Sequence, residues 1–398
     1  MRVLFVNCVY QNGSTGKIVR DLHTEVRKRG MESSVCYGRG GKVNEPNIYK
    51  TCSELYAKAN KLMSYITGIS YGGCFFSTNR LISRIKKERP DVVHLHCING
   101  YFVNIYRLIR WLKKRHIKTV LTLHAEFMHT GNCSHAFECE GWRTGCGNCP
   151  KWKQVTKSFF LNRTHGAWEK MRKAFEGFSE LTVTSVSPWL MKRAEQSPIL
   201  SGHRHLTIFN GVDTKVFYPS DGERLRKKHG LEGKRVVFHV TADFSASADH
   251  PKGGRYVLEL AERMKEENTV FLIAAGRWES KLTFPENVIF LGNISDQSLL
   301  AEYYAMADVT LLTSRRETFS MPVAESLCCG TPVVGFEAGA PEEIALKDAS
   351  RFVPYGHIDR LQKELTATFP MEKEATGRAA VEIYSKERIA AQYIALYQ

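Results

Sequence analysis

Strand-length apolar runs alternate with helical patterns along almost the whole chain. Such alternation favours parallel sheets that are covered by helices on both faces. A single sheet of twelve strands would be unusually wide, so we expect an α/β fold of two packed domains. The predicted strands are residues 3–9, 33–37, 92–97, 119–124, 181–186, 206–209, 235–240, 270–275, 288–291, 309–312, 332–336 and 351–353.

A turn signal separates the two predicted domains. Residues 210–213, Asn-Gly-Val-Asp, follow a predicted strand and precede the Pro-Ser-Asp-Gly breaker at 219–222. We therefore predict domains at residues 1–206 and 207–384. Ligands of open parallel sheets bind beyond the carboxyl ends of the strands, so two sheets facing each other across a cleft favour a two-substrate enzyme. A one-substrate hinge-binding protein is the structural alternative.

Charge differs between the two halves. Residues 1–206 hold 33 basic and 14 acidic side chains, whereas residues 207–398 hold 23 and 27. The run 105–115 combines apolar residues at helical spacing with Arg and Lys, which fits an anionic membrane surface, an anionic substrate, or a core-facing helix with a solvated basic face. No zinc-finger, RNP-like or GXXG-loop signature accompanies the charge, so no nucleic-acid partner is expected.

Targeting signals are not evident in the sequence. No stretch of 18 apolar residues is present, and residues 1–9 are too short for a signal-peptide core. We therefore expect a protein of the reducing cytoplasm, in which its 11 cysteines are thiols or metal ligands.

The loop at 11–17 follows the first predicted strand and opens a helix. Its Gly13, Ser14 and Gly16 would let backbone N–H groups approach a phosphate at a helix N-terminus. The loop has neither the Walker A nor the G-x-G-x-x-G pattern, so a plain strand-to-helix turn is the alternative.

Histidines and cysteines suggest two further sites in the first domain. His124 ends a predicted strand, where an imidazole could move a proton or donate a hydrogen bond; a structural role is equally open. The insert at 131–150 is rich in Cys, Gly and Asn. Four thiolates there could close a structural zinc site, or remain free thiols that pack a loop. These thiols are Cys133, Cys139, Cys146 and Cys149.

The second domain carries a cation and two carboxylates at predicted loop edges. Lys252 precedes two glycines at a helix start, which suits a diphosphate. Glu317 follows a predicted strand, and Ser320 is expected to cap the helix that contains Glu325. The carboxylates could accept hydrogen bonds from vicinal hydroxyls, and the helix N-terminus could stabilise a departing phosphate.

Taken in order, these segments resemble a retaining glycosyltransferase of family four with the GT-B architecture, over nearly the whole chain. The most specific part is 317–325, Glu-Thr-Phe-Ser-Met-Pro-Val-Ala-Glu, with Gly-Thr-Pro-Val-Val at 330–334 and Gly-Ala-Pro-Glu at 339–342. Residues 124–150 are similar to a subgroup that makes colanic acid and related bacterial surface polysaccharides.

The resemblance implies roles for the second-domain residues. Glu317 would hold hydroxyls of the donor sugar, and Glu325 would hold the ribose. Lys252 would hold the diphosphate together with amides around Phe319 and Ser320. The family pattern usually has an Arg before the Lys-Gly step, and none lies between residues 236 and 252.

The resemblance also implies roles in the first domain. Residues 13–16 would approach the same diphosphate, and His124 would lie near the reacting sugar as a catalytic residue beside Glu317 and Lys252. The family usually has Asp after this His, whereas Ala125 and then Glu126 follow here. Residues 385–398 resemble the closing helix that crosses back to the first domain.

The expected activity is hexosyl transfer from a nucleotide diphosphate sugar to a lipid-linked or saccharide acceptor in surface polysaccharide biosynthesis. The resemblance implies no metal or cofactor for catalysis, retention through front-face attack, and peripheral association with the cytoplasmic face of an anionic inner membrane. The alternatives are a nucleotide-sugar epimerase, for which the dinucleotide fingerprint is missing, and a non-catalytic carbohydrate-binding protein.

Overall fold

Two parallel sheets organise the protein, one in each of two units of a computed structural model that describes residues 1–398. The first unit comprises Met1–Phe209 and Ala390–Gln398, and the second comprises Asn210–Ile389. The division falls three residues beyond the predicted boundary between 206 and 207. The expected pair of Rossmann-like α/β domains is confirmed.

The first sheet has seven parallel strands in the order β3-β2-β1-β4-β5-β6-β7. The strands are β1 Arg2–Asn7, β2 Glu32–Tyr37, β3 Ile48–Lys50, β4 Val92–Leu95, β5 Thr119–Leu123, β6 Leu181–Ser185 and β7 Arg204–Thr207. Strand β3 was not predicted because it has three residues, of which only Ile48 is buried. The order reverses between β1 and β4, which makes the loops after these strands a natural ligand site.

Helices cover both faces of this sheet. They are α1 Gly13–Lys28, α2 Glu54–Thr67, α3 Phe75–Glu88, α4 Ile105–Lys114, α5 Phe127–Thr130, α6 Trp152–Thr156, α7 Thr164–Phe175 and α8 Pro188–Glu195. In α4, Ile105, Leu108, Ile109 and Leu112 are buried. The basic run at 105–115 is therefore a core-facing helix with a solvated basic face, which was one of the three interpretations left open.

The second sheet has six parallel strands in the order β10-β9-β8-β11-β12-β13. The strands are β8 Arg235–Thr241, β9 Thr269–Ala275, β10 Val288–Gly292, β11 Val309–Leu312, β12 Val333–Phe336 and β13 Ser350–Val353. The helices are α9 Glu223–His229, α10 Gly254–Arg263, α11 Gln297–Met306, α12 Met321–Cys328, α13 Pro341–Ile344, α14 Ile358–Leu365 and α15 Lys373–Tyr384. The order reverses between β8 and β11, so the loops after these two strands lie at the switch point of the sheet.

Apolar burial explains the second unit's layers. Val257 and Leu260 of α10 are buried in one cluster with Phe271 and Ile273 of β9 and Leu311 of β11. The β-branched and aromatic strand residues face the apolar stripe of the helix, and this burial is the main favourable contribution to the fold.

The last helix, α16 Lys386–Tyr397, ends against the first sheet. The Tyr397 hydroxyl lies 2.7 Å from Nδ1 of His94, and the Tyr393 hydroxyl lies 3.1 Å from Oγ1 of Thr122. No helix in the structure has both the length and the apolar character needed to cross a bilayer.

Candidate functional site

Lys252 and Glu317 form an ion pair at the switch point of the second sheet. Lys252 lies in the loop between β8 and α10, and Glu317 lies in the loop between β11 and α12. Lys252 Nζ is 2.6 Å from Glu317 Oε1, and the side chains are 31% and 16% exposed. The sequence predicted Lys252 to contact a diphosphate and Glu317 to contact hydroxyl groups. The two side chains lie together in a partly buried position.

Backbone contacts join the two loops that carry this pair. The Thr313 hydroxyl donates to the Lys252 carbonyl at 2.9 Å, and the Arg315 N–H donates to the Pro251 carbonyl at 2.8 Å. Gly253 has φ +67°, and a Cβ there would overlap the Thr313 carbonyl oxygen. Only glycine lets the β8–α10 loop approach the β11–α12 loop this closely.

The backbone of Glu317 is also held from its other side. Its N–H donates to the Ala338 carbonyl at 2.9 Å, and its carbonyl accepts from the Ala340 N–H at 3.3 Å. The Glu342 carboxylate accepts from the N–H groups of Ala338 and Gly339 at 3.0 and 2.8 Å. Glu342, which lay in the 339–342 motif without a predicted role, thus shapes the turn on which Glu317 depends.

Helix α12 begins directly after Ser320, but the predicted side-chain cap is wrong. Ser320 has φ 84° and ψ 89°, and its side chain makes no capping hydrogen bond. Its Oγ is buried without a hydrogen-bond partner, and Phe319 before it is buried with its ring 6.3 Å from that of Tyr384. Because the hydroxyl does not cap the helix, the helix dipole and the first-turn N–H groups of α12 can serve an anion.

Glu325 lies one turn into α12 and is held by a tyrosine of α11. The Tyr304 hydroxyl donates to Glu325 Oε2 at 3.3 Å. Burial, and then the charge of Glu325, raise the pKa of Tyr304 well above its ordinary value, so the phenol stays a hydrogen-bond donor. Tyr304 was not predicted from the sequence, because a buried tyrosine in a helix looks like an ordinary core residue and its hydroxyl group does not alter the pattern of apolar residues.

A buried histidine also lies at this edge. His239 of β8 donates from Nδ1 to the Leu311 carbonyl at 2.9 Å, while Nε2 has no partner. Burial lowers the pKa of His239 to about 4, the carbonyl opposes this shift, and the charge of Lys252 adds to it. The imidazole is therefore neutral at pH 7. A histidine within an apolar strand was the sequence signal that could have identified it.

In the first unit, the predicted glycine loop opens α1, which begins at Gly13. Gly13 has φ +65° and open space around it, whereas a Cβ on Gly16 would lie 3.2 Å from Gln11 N. Gly13 and Ser14 are exposed, and the first turn of α1 contains no acidic residue. This edge can therefore accept an anion, with Gly16 providing the close turn.

His124 follows β5 and belongs to a chain of polar groups in the first unit. His124 Nε2 lies 3.0 Å from His96 Nδ1, and the two rings stack at 5.3 Å. His94 reaches Thr122 Oγ1 at 2.7 Å through Nε2. Burial lowers the pKa of His124 to about 4, so the ring is neutral at pH 7.

Glu126 lies where the sequence departs from the family pattern, and its contacts are with other residues of the first unit. It is fully buried and accepts from the Ala136 N–H and from Arg193 Nε, each at 2.7 Å. Burial would raise the pKa of Glu126, but a hydrogen bond with His129 and the charges of His129 and Arg193 lower it to about 2. Glu126 therefore anchors the Cys-rich insert to α8.

For the four cysteines of the insert, the sequence left open a structural zinc site and free thiols that pack a loop. No group of three or more His, Cys, Asp or Glu side chains in the structure is placed to hold a metal ion. Cys146 Sγ instead donates to the Thr130 carbonyl at 3.5 Å, and Cys139 is exposed. Burial, followed by the other three thiols, raises the pKa of Cys133 to about 12. A tetrahedral thiolate shell would require four converging sulfurs, so a zinc site of Cys133, Cys139, Cys146 and Cys149 stays a prediction.

Arg255 lies three residues after Lys252, in the first turn of α10. Its guanidinium lies 4.4 Å from the centre of the Tyr256 ring and donates to the Tyr256 hydroxyl at 2.7 Å. Arg255 thus has a partner within its own helix, α10.

Solved structures share this fold. Sucrose-phosphate synthase from Thermosynechococcus elongatus matches with a TM-score of 0.67 at 16% identity, covering 100% of this chain and 98% of that one. Anabaena Alr3699/HepE in complex with UDP-glucose matches with a TM-score of 0.64 at 15% identity, covering 100% and 99%. Together with the paired parallel sheets, these matches show the GT-B fold.

Sequence comparison specifies the family. Glycosyltransferase Family 4 matches residues 15–216, and Glycosyl transferases group 1 matches residues 221–376. The chain belongs to glycosyltransferase family 4. It is 25% identical over 421 residues to a protein of Escherichia coli (strain K12) named as a colanic acid biosynthesis glycosyl transferase, WcaC, with 100% of both chains covered.

Proposed function

We propose that this glycosyltransferase retains configuration and moves a hexose-type sugar from a nucleotide diphosphate sugar to a lipid-linked or saccharide acceptor in bacterial surface polysaccharide biosynthesis. The observation that carries the proposal is the Lys252–Glu317 pair, 2.6 Å apart beside the start of α12. A cation, a carboxylate and a helix N-terminus at one switch point suit the diphosphate and the hydroxyls of an activated sugar.

The chemistry assigned to these groups is electrostatic. The bond between the sugar C1 and the diphosphate oxygen breaks while the acceptor oxygen bonds to C1 on the same face. The acceptor proton passes to the departing phosphate. Lys252 and the first-turn amides of α12 stabilise the negative charge that develops on that phosphate. Glu317 orients the sugar hydroxyls, and Glu325 orients the ribose.

The roles of the first-unit residues complete the proposal. Neutral His124 would offer a hydrogen bond to the reacting sugar, and the exposed start of α1 at Gly13 and Ser14 would approach the diphosphate. The solved complex of Anabaena Alr3699/HepE with UDP-glucose supports a nucleotide sugar as donor. The relative named for colanic acid biosynthesis supports a surface polysaccharide as the product class.

The surplus of basic residues in the first half supports a lipid-linked acceptor. Residues 1–206 carry 33 basic against 14 acidic side chains. A net positive domain is attracted to a membrane of anionic lipids, where a lipid-linked acceptor would be embedded. We place the enzyme at the cytoplasmic face of the inner membrane on this ground.

The test begins with binding. Thermal-shift measurements with UDP, GDP and their common sugars should identify one donor, because a ligand at 100 times its dissociation constant stabilises by about 2.7 kcal/mol. Incubation of that donor with lipid extract should then release the nucleoside diphosphate and form a glycolipid. NMR of the anomeric proton of the product should show the same anomeric configuration as in the donor sugar.

Two results would contradict the proposal. Binding of the sugar nucleotide without release of nucleoside diphosphate would indicate a non-catalytic carbohydrate-binding protein. A product with inverted anomeric configuration would remove the retaining mechanism while leaving the glycosyltransferase family in place.

A further inference from the structure

The outer face of α2 is apolar although it points to solvent. Of the 14 residues of this helix only Ala57 and Ser64 are buried. Leu55, Leu62 and Ile66, at helical spacing, are 80%, 54% and 43% exposed. An amphipathic helix normally turns its apolar stripe to the core, so this arrangement is the reverse of the usual one.

Two neighbouring segments extend this apolar surface. At one end, the Phe76 N–H donates to the Tyr56 hydroxyl at 3.2 Å, and the two rings lie 5.9 Å apart. At the other end, the Phe159 N–H donates to the Tyr65 carbonyl at 2.8 Å. Phe76 is 73% and Phe160 is 77% exposed. Helix α2, the start of α3 and residues 159–161 thus form one surface, which we call the α2 surface.

The charge of these segments has one sign. No Asp or Glu occurs between Glu54 and Glu88, or between Glu140 and Glu169, whereas Lys and Arg are frequent in both stretches. Lys58 and Lys61 of α2 are exposed beside the apolar residues. Apolar side chains rimmed by cations, without carboxylates, match the acyl boundary and the headgroups of an anionic bilayer.

We propose that the α2 surface docks on an anionic lipid bilayer, with Leu62, Phe76 and Phe160 inserted at the headgroup boundary. This inference rests on the proposed lipid-linked acceptor, because docking would bring the acceptor and the enzyme to the same plane. A second copy of the chain would also cover apolar residues, but six basic and no acidic side chains between 55 and 87 would repel their own counterparts.

The experiment is vesicle flotation of the full chain with phosphatidylcholine vesicles that contain about 30% phosphatidylglycerol, and with phosphatidylcholine alone. The double variant Phe76→Ser/Phe160→Ser should lower the partition coefficient at least about tenfold. Its matched control, Tyr218→Ser/Trp278→Ser, removes two exposed aromatic residues of the second unit, 53% and 47% exposed, and should bind like the unaltered chain.

A second pair of variants tests the charge. Lys58→Ser/Lys61→Ser should weaken binding about fivefold for each lysine, and only with anionic vesicles. Lys227→Ser/Lys228→Ser, which removes two exposed lysines of α9, should have little effect. Circular dichroism should be unchanged in all four variants, since every altered side chain is exposed.

Two outcomes would overturn the docking proposal. One is equal vesicle binding of the Phe76/Phe160 variant and its control. The other is a dimer in sedimentation that the Phe76/Phe160 variant converts to monomer while vesicle binding is unchanged. Stabilisation by the donor nucleotide sugar is measured in the same samples, so a chain that binds vesicles but no donor would disprove the proposed function alone.

Discussion

The ammonium nitrogen of Lys252 lies 2.6 Å from a carboxylate oxygen of Glu317, although the two residues are 65 positions apart. Both side chains are partly exposed, so the pair itself contributes only about 0–1 kcal/mol to the free energy of unfolding. The pair therefore adds little to the stability of the fold. An arriving diphosphate would compete with Glu317 for the ammonium group.

Loss of either member of this pair should slow the reaction without unfolding the chain. We expect Lys252→Ala and Glu317→Ala each to reduce turnover at least tenfold, about 1.4 kcal/mol of transition-state stabilisation. The control is Lys265→Ala, which removes an exposed ion pair of 3.0 Å with Glu262. The measurement is the rate of nucleoside diphosphate release. Unaltered rates in both Lys252→Ala and Glu317→Ala would show that these residues do not belong to the active site.

Tyr304 should affect donor affinity through Glu325. Tyr304→Phe removes the 3.3 Å hydrogen bond that the phenol donates to the Glu325 carboxylate. We expect the dissociation constant of the donor, measured by calorimetry, to rise about three- to tenfold. Tyr303→Phe in the same helix removes a 2.9 Å contact with His229 and serves as control. Equal dissociation constants for the two variants would show that Tyr304 does not position Glu325.

Gly253 should tolerate no side chain. In Gly253→Ala the new Cβ meets the Thr313 carbonyl, and the residue must also keep φ +67°. We expect urea denaturation to show that the free energy of unfolding of the second unit falls by on the order of 3 kcal/mol. Gly233→Ala has φ +71° but nothing within 4 Å, so it should lose only about 1 kcal/mol. Similar losses in both variants would argue against close packing of the two loops.

Acid stability should depend on Glu126. Its pKa of about 2 in the folded chain lies below the ordinary value of 4.5. The carboxylate therefore stabilises the fold above pH 4.5, and this contribution is lost as the pH falls from 4.5 towards 2. We expect Glu126→Gln to lower the free energy of unfolding at pH 7 by on the order of 3 kcal/mol, with a smaller difference at low pH.

The control for this prediction is Glu140→Gln. Glu140 contacts Arg193 at 3.3 Å, but its side chain is 48% exposed. The Glu140→Gln variant should therefore change the free energy of unfolding by no more than about 1 kcal/mol. Denaturation curves at several pH values measure both variants. A pH-independent difference between the unaltered chain and Glu126→Gln would mean that the carboxylate charge is not the stabilising feature.

Local sequence patterns were sufficient for the α/β class and for placing Lys252 and Glu317 at one edge of the second sheet. Strands β8, β9 and β11 are apolar runs bounded by polar loops, so burial on both faces was readable from the sequence. Lys252 and Glu317 were identified because each follows such a strand in a family-like motif. Strand β3 was missed because three residues with one buried side chain carry no periodic signal.

The sequence alone determined the alternation of strands with helices and the chemistry available at each loop. Only the tertiary structure decided which groups meet. His94 contacts Tyr397 across 303 positions, and Tyr304 holds Glu325. The physical reason is that periodicity reports how each residue is buried locally, whereas contacts between distant residues depend on how strands are ordered in the sheet and how loops pack at its edge.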